Sequence, residues 1–107
     1  MTEVKVRRKS GKIVSVECHG HCNYGVEGED IVCAALSSVV QTAALGLMQV
    51  AGIQIAFSAE SGELYMELPS EMSESARHDA DVILETMLAG IADLYEGYSD
   101  FIELEVK

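Results

Sequence analysis

The sequence predicts an α+β domain, a mainly antiparallel sheet covered by two long helices, with element order ββαββαβ. Three observations carry this: short stretches of alternating apolar and polar residues, one long apolar run free of charge, and one run with apolar residues at helical spacing. A chain of 107 residues, 49% hydrophobic and with a single proline, fits one folded domain spanning residues 1–107.

Val4 and Val6 alternate with charged residues, and after Ser10-Gly11-Lys12 the alternation resumes at Val14, Val16 and Cys18. These are two strands of a hairpin, with Cys18 facing the core and Glu17, His19 and His21 on the opposite face. From Cys22 to Glu29 the chain carries two glycines and no clear period, so it reads as a loop. Asp30 is a favourable N-cap, and Ile31 to about Val50 then runs helical.

Ile53, Ile55 and Phe57 form the next alternating stretch, Glu60-Ser61-Gly62-Glu63 turns the chain, and Leu64, Met66 and Leu68 return it as a second hairpin. Ala76, Ala80, Ile83, Leu84, Met87, Leu88, Ile91, Leu94 and Tyr95 then recur at the spacing of an amphipathic helix, which Gly97 ends. Phe101 to Val106 closes the order as a last strand.

Ile31 to Ala59 contains no charged residue and is long enough to span a bilayer. Ser37, Ser38, Gln41, Thr42 and Gln49 interrupt it, and no basic cluster anchors either flank, so a buried helix is the better expectation. A helix apolar nearly all round, in so small a protein, predicts a second subunit against it and no membrane partner.

The formal net charge of -11 disfavours nucleic-acid backbones and anionic lipid, and suits a basic protein segment. The first residues lack the apolar stretch of a secretory signal, which predicts a cytoplasmic protein. Its three cysteines are then expected to be reduced.

The chemistry concentrates where Gly20-His21, a loop, and Gly28-Glu29-Asp30-Ile31-Val32-Cys33-Ala34-Ala35-Leu36-Ser37 follow one another. A histidine at a strand end precedes a cysteine in the first turn of a helix. The free N–H groups and positive dipole end of a helix favour a thiolate, and they suit a developing oxyanion as well. An imidazole within reach would take the thiol proton and deliver it to a leaving amine. From the residues alone, Cys33 reads either as such a nucleophile or as a buried structural cysteine.

The string Gly-His, a glycine-bearing loop, then Gly-x-Asp-Ile-Val-Cys-Ala-Ala-x-Ser resembles the signature of the Prp cysteine proteases, and the flanking elements resemble that family over essentially the whole chain. The resemblance implies a homodimeric α+β protease that trims a short N-terminal extension from a large-subunit ribosomal protein. It places the catalytic pair on His21 and Cys33, the Gly-His glycine on Gly20, the loop glycine on Gly28 and the acid before the helix on Asp30. Asp30 either caps the helix or orients His21, and Ser37, one turn beyond Cys33, either faces the cleft or allows close packing. The basic extensions common on ribosomal proteins match the acidic balance, and the stretch Cys22 to Glu29 would close over bound peptide.

Cys18-His19-Gly20-His21-Cys22, with Cys33, also offers soft metal ligands, but Cys18 points opposite to His19 and His21 on a strand, so they do not converge. His19 and His78 read as exposed residues. With no phosphate loop and no Ser/His/Asp order, no cofactor is expected. The alternatives to a protease are a ribosome-associated or peptide-binding module that does not cut, and a thiol or zinc-binding protein.

Overall fold

The computed structural model describes residues 1–20, 29–60 and 62–107, with Glu29 and Asp30 as backbone alone. Its elements are β1 (Thr2–Lys9), β2 (Lys12–Gly20), α1 (Glu29–Leu45, continued by a wider π turn over Gly46–Val50), β3 (Ala56–Glu60), β4 (Glu63–Glu67), α2 (Glu74–Gly97) and β5 (Ile102–Val106). The expected order ββαββαβ is thus the observed one.

The strands form one sheet in the order β3-β4-β2-β1-β5. Each hairpin pairs antiparallel, β2 pairs antiparallel with β4, and β5 joins β1 in parallel. The strand that leads to His21 is therefore central. Ser10 and Gly11 turn β1 into β2 with φ of 55° and 80°, the left-handed pair that matches the twist of a two-residue hairpin.

One side of the sheet carries the rows Val4, Cys18, Leu64 and Val6, Val16, Met66, all buried. Both helices supply the other half of this core: Val32, Leu36, Val40, Ala44 and Leu47 from α1 and its π turn, and Ala80, Leu84, Met87 and Ile91 from α2. The opposite side presents Lys5, Glu17 and Tyr65 as one cross-strand row. The result is two layers, helices over sheet.

Three details depart from simple alternation. The β1–β2 register shifts between Arg7 and Arg8, so Arg7 faces Ser15 while Arg8 faces Ile13. This bulge inserts Val14 as an extra residue, and Ile13 takes the core position that period two assigns to Val14. Ile53 and Ile55 precede β3 instead of belonging to it, and Phe57 on this edge strand is exposed.

The charge-free stretch Ile31–Val50 is long and apolar enough to cross a bilayer, yet one side of it is core. Gly52, at φ 68°, then turns the chain, and the Ile53 N–H donates back to the Leu47 carbonyl at 2.8 Å. α2 starts at a cap that its sequence encodes: Ser73 Oγ accepts from the Ala76 N–H at 3.1 Å.

Candidate active site

β2 alternates as its sequence predicts, burying Val16 and Cys18 and leaving Glu17 and His19 half-buried on the open side. Its last residue, Gly20, donates its N–H to the Gly62 carbonyl at 2.8 Å. Gly62 has φ 81°, and a Cβ built on it would lie 2.5 Å from the Gly20 oxygen. The β3–β4 turn thus braces the strand end from which the chain proceeds to His21. Sequence reasoning recognised Gly62 as a turn residue but not this contact, which links positions 42 apart in the chain.

His21, Gly28 and the intervening residues lie outside the described ones, and so does the expected meeting of His21 with Cys33. The side chain of Asp30 lies outside them too. The backbone of α1 begins at Glu29, so Asp30 stands second in the helix and not at its N-cap. Two consecutive acids give the same start signal, and pattern alone does not choose between them. An acid in the first turn still favours the helix dipole.

Cys33 is the fifth residue of α1, at the start of its second turn and not within the first. It is buried, with 2% of its surface exposed. Cys18 is a free, buried cysteine.

Ser37, four residues further along α1 and half-buried, lines a cavity of about 240 Å³ together with Cys18, Gln41, Glu60, Gly62 and Glu63. Ser37 thus borders an open recess on this side of α1. Glu60 and Glu63 make this end of the sheet acidic, and neither was singled out by sequence as a site residue. His19 sits between two carboxylates, with Nε2 3.4 Å from Glu17 and Nδ1 3.5 Å from Glu63. His78 is exposed beside Asp79.

Burial pushes the Cys18 thiol up to about 11, so it stays neutral near pH 7 and is a poor nucleophile. Cys18 in the core and His19 on the open side cannot share one metal ion, which removes the geometric basis of the zinc alternative at that pair.

The sequence model of a family described as cysteine protease Prp matches residues 1–103. The chain belongs to the cysteine protease Prp family. It is accordingly a peptide hydrolase of the cysteine class. The ribosomal processing cysteine protease Prp of Bacillus subtilis (strain 168) is 30% identical over 103 residues, which cover 94% of this chain and 92% of that one. The Staphylococcus aureus (strain Mu50) protein of the same name is 30% identical over 100 residues, covering 91% and 90%.

Solved Prp structures share the fold. An essential ribosomal processing protease Prp from S. aureus in complex with a substrate peptide aligns over 100% of both chains with a TM-score of 0.87 and 24% identity. The S. aureus protease with a covalently linked product peptide aligns over 100% of both chains at 0.82 and 25%. The five-stranded sheet under two helices is thus the Prp fold.

Proposed function

We propose that this Prp family member is an endopeptidase that removes a short N-terminal extension from a large-subunit ribosomal protein precursor, with Cys33 as nucleophile and His21 as its base. The single observation that carries the proposal is the Prp match over residues 1–103, which takes in the whole Gly-His to Cys-Ala-Ala-x-Ser stretch. The S. aureus relative with a covalently linked product peptide supports covalent catalysis in the family.

The steps follow from the residue chemistry. His21 takes the proton of the reduced Cys33 thiol, and the sulfur attacks the scissile carbonyl carbon. The tetrahedral oxyanion draws on the free N–H groups and dipole at the head of α1. The C–N bond then breaks, the amine leaves with the proton from His21, and a thioester remains. Water, deprotonated by His21, hydrolyses the thioester and restores the thiol.

The net charge of -11 and the cavity lined by Glu60 and Glu63 support a basic substrate segment. We further propose a homodimer that works in the cytoplasm. An apolar groove between the helices, lined by Val39, Ala43, Gly46, Val50, Val82, Ile83 and Met87 among others, supports a second subunit there.

The test incubates the reduced protein with ribosomal protein precursors and reads new N-termini by mass spectrometry. Cleavage that vanishes in Cys33→Ala and His21→Ala, with peptide binding retained, is the expected result. Uncut precursor with a folded, reduced enzyme overturns it.

A further inference from the structure

The cations of this acidic chain are gathered at one place. Of its seven Lys and Arg residues, Arg7, Lys9, Lys12 and Arg77 line a single cavity of about 420 Å³. It lies where the β1–β2 turn meets Leu68, Pro69, Ser70 and the beginning of α2. β2 runs from Lys12 at this cavity to Gly20 at the candidate active site. The two are thus roughly 25 Å apart, at about 3.3 Å per strand residue.

The pairing inside the cavity is incomplete. Glu67 is the one carboxylate in the lining; it lies 3.7 Å from Arg7 Nη2 and accepts from the Tyr65 hydroxyl. Arg7 Nε donates to Ser15 Oγ at 3.1 Å, and Lys12 Nζ is held by Asp81 at 2.6 Å. Lys9 has no ion pair among the described residues. Arg77 Nη1 is buried and has no hydrogen-bond acceptor. A buried guanidinium N–H without a partner is rare in folded proteins, because it loses water and gains nothing in return.

We propose that this cavity binds a compact phosphate-bearing ligand, with the guanidinium of Arg77 and the ammonium of Lys9 supplying the cations that face it. Several cations around one recess match the charge of a phosphate dianion better than a single carboxylate, and guanidinium and ammonium groups are suited to its oxygens. The compactness follows from the rest of the surface. With a net charge of -11, the protein repels any anion that extends more than a Debye length, about 8 Å at physiological salt, beyond the basic recess. A free phosphate or a terminal phosphate monoester fits this field, and a nucleic-acid strand does not.

Titration calorimetry of the full chain tests the proposal, with inorganic phosphate, pyrophosphate and a short single-stranded RNA as probes and sodium chloride at matched ionic strength as reference. Phosphate or pyrophosphate binding above the chloride reference is expected. Arg77→Gln should weaken it about tenfold or more, and Lys9→Gln about threefold, since each removes a charge-assisted donor. Lys9 is exposed, so its variant keeps the test open if Arg77→Gln does not fold. No binding by either small anion, or binding that both variants leave unchanged, overturns the site. RNA binding tighter than pyrophosphate overturns the compact ligand. None of these readouts depends on peptide cleavage.

Discussion

Gly20 and Gly62 touch through their backbones: the N–H of one donates to the carbonyl of the other at 2.8 Å, and no side chain separates them. Gly62→Ala would place a methyl group against the Gly20 oxygen and hold alanine at φ 81°. We expect about 1–3 kcal/mol lost from stability. Because Gly20 immediately precedes His21, kcat/KM for a substrate peptide should fall by more than the loss of folded protein explains. Thermal melts and cleavage assays on the same sample check this, and a cleavage loss no larger than the unfolded fraction would count against the brace.

A nucleophilic Cys33 should react with iodoacetamide at neutral pH in the native protein, and peptide cleavage should be lost in step with its labelling. Cys33→Ala should cleave no peptide. Peptide mapping by mass spectrometry beside cleavage assays checks this, and full activity in Cys33→Ala would contradict Cys33 as nucleophile.

Cys18 should behave in the opposite way. Burial raises its thiol to about 11, so iodoacetamide at neutral pH should label it slowly in the native protein and readily after denaturation. The sign for stability follows. The folded state favours the neutral thiol, so its contribution is complete below the ordinary value of 9.0 and is lost as pH climbs towards about 11. Alkaline unfolding that begins in this window, and shifts upward in Cys18→Ala, is the expected profile.

The proposed subunit contact can be tested at Val82, which is 53% exposed on the groove between the helices. Val82→Glu leaves the core of one chain alone, so folding should change by no more than about 0.5 kcal/mol per chain. Two such charges at a twofold contact repel, and light scattering should show the mass of a monomer. A dimer that survives this change, and its counterpart at Val50, would place the contact elsewhere.

Much of the fold was legible because its elements bury one side each. Ala80, Leu84, Met87 and Ile91 show the helical period of α2 directly, and Val16 and Cys18 show the strand period of β2. The bulge between Arg7 and Arg8 was not legible, since it arises from how two strands pair and not from either one alone. The exposed β3 misled the alternation argument: as the edge of the sheet it packs only weakly, so its composition is not constrained to a buried side. In the site, Gly20, Cys33 and Ser37 could be named from local pattern. Gly62, Glu60 and Glu63 reach them across the sheet, and no local signal reports that approach.

β5 lies beside β1 in parallel, pairing Thr2 with Ile102 and Val6 with Val106. On a translating ribosome, β1 emerges long before its outer neighbour β5 at Ile102–Val106. Until then β1 has an open edge, and contacts this remote in sequence form slowly. Completion of the sheet therefore waits for β5, and a chain without that strand would keep an open β1 edge that is prone to pair with other molecules.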